Sequence, residues 1–497
     1  MKHRRSCGLI VALAVALTAA ACTNTIEGPR RAEGSTTPIG HVVVIYDENV
    51  SFDHYFATYP RAENPSGQPT FDARADTPAV NGLDATLLTA NPNGANPHRL
   101  DRSEALTCDQ DHEYAAEQKA YNHGLVDAFV ENTGGQCADR STVMGFFDGN
   151  TVTAMWNYAQ QFAMSDNFFA STFGQSTAGA INLVSGQTHG AVPVDLPGYV
   201  ANGTLIQDAD PTHDACSKSP TVGFSGRNVG NLLNERGVTW GWFEGGFRPT
   251  SAPGQPIVCG SSHPNIGGHM VTDYIPHHEP FQYYTSTANP QHLAPSSPAM
   301  VGKNDAANHQ YDLEDFWSAP ELPAVSFLKA PGYQDGHAGY SDPLDEQRFL
   351  VETINRLQER PEWDDMAIIV SYDDSDGWYD HVLGPIVNPS NDPANDFLSA
   401  PGECGMPEPG AYLDRCGYGP RLPLLVISPF SRQNYVDHQV LDQTSILRFI
   451  EDNWELGRIG DQSFDAKASS MATMFDVDQT KRTPPLILDP STGARPG

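Results

Sequence analysis

Five apolar runs of strand length constrain this chain more than any other feature: His41–Tyr46, Val238–Phe243, Ala324–Leu328, Ala367–Tyr372 and Leu422–Ile427. They are continuous rather than alternating, the pattern of strands covered on both faces. Helical patterns lie between them. Thr153–Phe162 carries Met155, Ala159 and Phe162 at helical spacing. Asp345–Glu359 carries Leu350, Ile354 and Leu357 and stops before Pro361, and Thr444–Leu456 opens on a candidate N-cap, Thr444. Doubly covered strands alternating with amphipathic helices predict an α/β fold: a three-layer α/β/α sandwich with a mainly parallel central sheet. We expect one large domain over residues 40–480. Pro60–Arg102 and Gly245–Gln291 read as long loop insertions, and residues 481–497 as a peripheral C-terminal tail.

What precedes the first strand reads as an export signal. Lys2, Arg4 and Arg5 give a basic start, Leu9–Ala21 is largely apolar, and Ala19-Ala20-Ala21 stands before Cys22. Residues 1–22 are therefore predicted to be a signal peptide, and 23–39 a linker. The apolar stretch falls short of the ~20 residues a membrane-spanning helix needs. Cys22 after small residues also matches a lipidation site, but Ala19 stands where such a site has Leu, so free secretion and a lipid anchor at Cys22 both stay open. The chain is expected outside the cytoplasm: secreted, periplasmic or in the cell envelope. Of its eight cysteines, Cys7 and Cys22 fall in the leader. Six in an exported chain suggest disulfides, and the sequential pairing 108–137, 216–259 and 404–416 closes the shortest loops.

The chain holds 61 Asp and Glu against 29 Lys and Arg, a formal net charge of −32, with no basic cluster. That excludes a nucleic-acid partner but not phosphate chemistry, because a bound cation reverses the local sign. Two strand ends are candidates for such a cation. The first run leads into Asp47-Glu48-Asn49, and the fourth into Asp373-Asp374-Ser375-Asp376. Adjacent carboxylates at a strand end repel one another unless solvent or a cation compensates, and carboxylates with an amide oxygen suit a hard divalent ion. A third segment, Gly174-Gln175-Ser176-Thr177-Ala178-Gly179, opens a helical stretch. Ser176 reads either as the N-cap or as a nucleophile whose developing charge the helix start favours.

Together these segments resemble the bacterial phosphoesterase family of acid phosphatases and phospholipases C, within the alkaline-phosphatase-like superfamily. The resemblance rests on Glu48-Asn49-Val50-Ser51-Phe52-Asp53-His54-Tyr55-Phe56, on the Ser176 segment, and on Asp373-Asp374 with Gly377-Trp378-Tyr379-Asp380-His381. It continues through Gln334-Asp335-Gly336-His337 and Gly419-Pro420-Arg421-Leu422-Pro423, covering roughly residues 40–455. It implies an alkaline-phosphatase-like sandwich with one divalent cation held by Glu48, Asn49, Asp373, Asp374 and Ser176. Ser176 would be the nucleophile and pass through a phosphoserine intermediate, with Thr177 as the alternative hydroxyl. His112, His278, His337 and, less centrally, His277 fall where the family places imidazoles that contact phosphate or protonate the leaving group. His54, His189 and His381 are expected to be hydrogen-bonding scaffold.

The implied function is an exported, metal-dependent phosphoric-ester hydrolase, foremost an acid-phosphatase-like phosphomonoesterase. Two departures bear on the substrate: Gln175 stands in place of Pro, and Ala178-Gly179 in place of the Pro-Asn of the clearer phospholipase C members. The alternatives are a phospholipase C cutting phosphatidylcholine-like diesters and a non-catalytic metal-binding surface protein. A sulfatase is disfavoured, since no Cys-x-Pro-x-Arg motif is present.

Overall fold

The computed structural model describes residues 34–496 apart from Ser219, Pro253, Gly254 and Thr480; the predicted signal peptide and Cys22 lie outside the described residues. Nine strands form one sheet: β1 (His41–Asp47), β2 (Ala163–Phe169), β3 (Trp240–Glu244), β4 (Gln310–Asp312), β5 (Val325–Lys329), β6 (Met366–Tyr372), β7 (Arg421–Ile427), β8 (Tyr435–Asp437) and β9 (Leu441–Asp442). Their order is β4-β3-β5-β1-β6-β7-β2-β8, with β9 also on β2. Every pairing is parallel except the two made by β7.

Alternation along the strands sorts side chains into two cores. Val43, Ile45, Leu328, Ile368 and Val370 meet α1 (Phe52–Phe56), α2 (Thr153–Gln161) and α5 (Pro343–Gln358). Val42, Val44, Val325, Phe327 and Ile369 meet α3 (Ser176–Ser185), α4 (Val229–Arg236) and α6 (Gln443–Asn453) on the other face. This is the predicted three-layer sandwich. The three disulfides pair as expected, Cys108–Cys137, Cys216–Cys259 and Cys404–Cys416.

Five details differ from the sequence reading. Strand β2 was not foreseen, because Ser165-Asp166-Asn167 interrupts its apolar pattern. Helix α6 is capped by Asp442, whose carboxylate accepts from the Thr444 N–H, so Thr444 is inside the helix. Gln175 is the residue before α3, and Ser176 is its first helical residue rather than its cap. The C-terminal tail is not peripheral: Asn355 and Gln358 of α5 bond the backbone of Leu488 and Leu486, whose side chains enter the first core. The described end of the linker is also packed, with Ile39 buried and its carbonyl accepting from Asn453.

Candidate active site

The polar residues at the carboxyl ends of β1, β5 and β6, neighbours in the sheet, converge with the start of α3. Beyond β1, Asn49 turns the chain with a left-handed φ of 59°, a conformation Asn tolerates better than most residues. Its N–H donates to Asp373 Oδ1 at 3.0 Å, and the Val50 N–H donates to the Asp374 carbonyl at 2.9 Å, so the two acidic loops are joined by their backbones. Helix α3 comes up against the same loop. A Cβ on Gly179 would lie 2.1 Å from the Asp373 carbonyl oxygen, so glycine is what permits this approach. Glu117 ties the remaining edge, accepting from Ser375 Oγ at 2.6 Å and from the Gly174 N–H at 3.1 Å.

The result places Ser176 Oγ 3.1 Å from Glu48 Oε2, 3.3 Å from Asn49 Oδ1 and 3.2 Å from Asp374 Oδ2, all buried. One hydroxyl proton serves one of these acceptors, so the remaining contacts set oxygen against oxygen. Asn49 Oδ1 also lies 2.7 Å from Glu48 Oε2 and 3.2 Å from Asp373 Oδ1; without a cation its amide would be better turned over, its N–H groups donating to these two carboxylates. Asp373 Oδ2 is buried and has no hydrogen-bond partner among the described residues. Burial, with Glu48 beside it, pushes the Asp373 carboxyl up to about 8, and burial with Asp373 raises Asp374 well above its ordinary range. Converging hard oxygens, an inward amide oxygen and an unpartnered carboxylate oxygen are what a divalent cation would satisfy. The residues present therefore fit one. Thr177 lies beyond this seat, its N–H donating to Asp208 Oδ1 at 2.9 Å.

The histidines divide. His278 Nδ1 is 3.3 Å from Glu48 Oε1, and burial, then Lys329, holds its pKa well below the usual value. His112 Nε2 lies 3.5 Å from the Asn49 amide nitrogen, and its ring is 5.9 Å from that of His337. Burial alone would depress His112, but Asp376, with Oδ1 at 3.4 Å, and Asp109 outweigh it and raise the imidazole to about 9. Burial, then His112, lowers His337 to about 4. Ligand atoms of Asp109, His112, His337 and Asp376 lie within 4.8 Å of one another, a second group able to hold a cation. His277 stands apart, facing Asp208 and Asp210 at 3.7 and 3.5 Å and touching none of the predicted cation ligands among the described residues. The His54 ring donates from Nδ1 to the Gly145 carbonyl at 2.8 Å and stacks on Trp378, and His189 stacks on Tyr412.

Two residues that organise the site escaped sequence reasoning. Arg421 is fully buried; its guanidinium reaches Asp380 Oδ1 at 3.1 Å and Asp53 Oδ1 at 3.0 Å, while Asp53 Oδ2 takes the His381 ring at 2.6 Å. The Asp53 N–H in turn donates to Asp380, so this knot clamps the segments following both acidic loops. Lys329, the last residue of β5, is buried with its ammonium on Glu48 Oε1. The signal for Arg421 was its place in the Gly-Pro-Arg motif; for Lys329 it was a lone cation ending an apolar strand.

The model of the phosphoesterase family matches residues 39–457. The chain is 26% identical over 434 residues to a non-hemolytic phospholipase C of Pseudomonas aeruginosa, covering 85% of this chain and 54% of that protein. It is 24% identical over 483 residues to phospholipase C A of Mycobacterium tuberculosis, covering 91% and 81%. The chain thus spans about half the length of the Pseudomonas relative. Murine ectonucleotide pyrophosphatase/phosphodiesterase 5 superposes with a TM-score of 0.31 at 12% identity, over 65% of this chain and 94% of that one, too loosely to argue from. With a match that runs from just before β1 to just past α6 and takes in every residue of the Ser176 cluster, this chain belongs to the phosphoesterase family.

Proposed function

We propose that the protein is an exported, cation-dependent phosphoric-ester hydrolase in which Ser176 is the nucleophile. The observation that carries this reading is the seat of Ser176 Oγ, 3.1–3.3 Å from Glu48, Asn49 and Asp374 at the first turn of a ten-residue helix. That helix start favours the negative charge of an attacked phosphoryl group. When bound, a divalent cation would ease ionisation of the hydroxyl and neutralise phosphoryl charge. Ser176 Oγ gives its proton to one of the carboxylates it faces and forms a bond to phosphorus, and the ester P–O bond breaks. His112, whose imidazole is raised to about 9 and so carries a proton near neutral pH, supplies it to the departing alkoxide from beside Asn49. Water then cleaves the phosphoserine and regenerates the hydroxyl. Export rests on the leader sequence; among the described residues no helix is long and apolar enough to cross a membrane.

For the ester we infer a phospholipid-type diester. Two named relatives are phospholipases C. Beside the site, a hairpin (Ser262–Pro264 with Met270–Thr272) is held by Asn265 to the backbone of Tyr340, whose ring stacks on His337. Its tip exposes Ile266 and Met270, and Leu106 is exposed next to Gly267, giving an apolar lip. A soluble monoester keeps one observation in its favour, the Gln175 and Ala178-Gly179 departures at the nucleophile. Release of phosphocholine from phosphatidylcholine vesicles, measured against phosphate from an aryl monoester with and without chelator, separates the two. Faster chelator-sensitive diester turnover is expected; turnover of the monoester alone would return the substrate to the monoester class, and no turnover of either would favour a non-catalytic cation-binding protein.

A further inference from the structure

Lys329 is a buried cation that the proposed chemistry does not use. Strand alternation sends it to the same side of the sheet as Val325 and Phe327, the side of α3 and Ser176. Its backbone pairs with Glu244 of β3, and its ammonium sits 5.7 Å from the centre of the Tyr46 ring. Its ion pair is with Glu48 Oε1, on which His278 Nδ1 also lies at 3.3 Å. The other oxygen of that carboxylate, Oε2, is the one 3.1 Å from Ser176 Oγ. Glu48 is therefore split between a fixed partner and the open centre of the site. Among the described residues, no other Lys or Arg pairs with Glu48, Asp373 or Asp374. With all three carboxylates ionised, one ammonium leaves two of these charges uncompensated, and Asp335, buried near Lys329, adds a further acid.

We propose that Lys329 is a positioning residue and the built-in countercharge of this site: it locks Glu48 through Oε1, leaves Oε2 facing the centre where a cation would sit, and offsets part of the carboxylate charge there. The proposal rests on the cation reading above. A buried ammonium a few ångströms from a cation opposes that cation's binding while it stabilises the carboxylates when the cation is absent. Lys329 thus trades cation affinity for a site that stays assembled when empty. This makes a prediction that runs against intuition: removing a site residue strengthens binding.

The test is calorimetric titration of chelator-treated wild type, Lys329→Met and Lys329→Arg with Mn²⁺, Zn²⁺ or Ca²⁺ alone, paired with thermal melts in chelator and in excess cation. Lys329→Met is expected to bind the cation on the order of tenfold or more tighter than wild type, and to lose more of its melting temperature in chelator. Lys329→Arg, keeping the charge, should stay within about threefold of wild type. Should Lys329→Met fold only when millimolar cation is added, that rescue also supports the proposal. Equal or weaker cation binding by Lys329→Met overturns it, as does equal tightening by Lys329→Arg, or a Lys329→Met protein that cation fails to rescue. A wild type that binds none of the three ions overturns the cation reading itself, which separates that failure from the failure of Lys329 alone.

Discussion

Two buried acidic clusters lie only a few residues apart along the same two chain segments, and they are built in opposite ways. At Asp53, Asp380 and His381, the Arg421 guanidinium reaches both carboxylates, and its remaining N–H groups find the carbonyls of Asn81 and Asp166. Burial would raise Asp53, but His381 and Arg421 outweigh it and hold that carboxyl below its ordinary value, while burial still pushes Asp380 up to about 6 against the pull of Arg421. At Glu48, Asp373 and Asp374, one lysine faces three acids, Asp373 Oδ2 is unpartnered among the described residues, and burial drives Asp373 and Asp374 up. A cluster that supplies its own countercharge holds the fold together. One that leaves a deficit is completed by something from outside.

Ser176→Ala tests the open cluster with the largest expected effect. Turnover should fall roughly 10⁴-fold or more, while circular dichroism and the thermal melt stay close to wild type; retained turnover would move the nucleophile elsewhere. The closed cluster breaks differently. Arg421→Met strands two buried carboxylates and should cost about 3–5 kcal/mol in denaturant unfolding, with no recovery on adding divalent cation. Were cation to restore it, the two clusters would be one unit and the comparison would fail.

Cation removal should reverse that pattern. For wild type, stability gained on adding cation at about a hundred times its Kd is about 2.7 kcal/mol, lost again in chelator, whereas Asp374→Asn should show a much smaller response. The smallest effect concerns His381. Burial alone would lower its pKa, but Asp53 outweighs this and raises it. Such a group contributes stability that is fully present below the unfolded value of about 6.5 and is lost as pH rises through the higher folded value. Wild type minus His381→Gln in urea unfolding should therefore shrink across that window, by under about 1 kcal/mol. A difference that grew with pH would mean that the imidazole is neutral in the fold.

Much of this arrangement was legible in the sequence, for stated reasons. The five apolar runs mark the doubly covered strands because burial on both faces demands continuous hydrophobicity. Glu48, Asn49, Asp373 and Asp374 stood out because adjacent acids at strand ends are costly without a partner; the structure brings Glu48, Asn49 and Asp374 to Ser176 and sets Asp373 against the Asn49 N–H. Strand β2 was hidden because its interior polar residues are satisfied by distant chain, Ser165 by the Asp437 carbonyl and Asp166 by the Asn81 N–H. Lys329 and Arg421 were hidden because a lone cation gains meaning only from its pairing. Lys329 lies 281 residues from Glu48, and Arg421 lies 41 and 368 residues from Asp380 and Asp53, separations that no local pattern records. His277, one residue from His278, turns toward Asp208 and Asp210 instead.

The sheet order carries a consequence for how the molecule is made. Strand β1 sits between β5 and β6, so His41–Asp47 pairs only with strands beginning at Val325 and Met366. During synthesis, the first strand to emerge is among the last to find neighbours. Until then an apolar ribbon with two unpaired edges must be shielded, a standing invitation to association between chains. The same delay means that Glu48 meets Lys329 and Asp373 only as the sheet closes. Any cation these residues recruit would therefore be captured only after β5 and β6 have flanked β1.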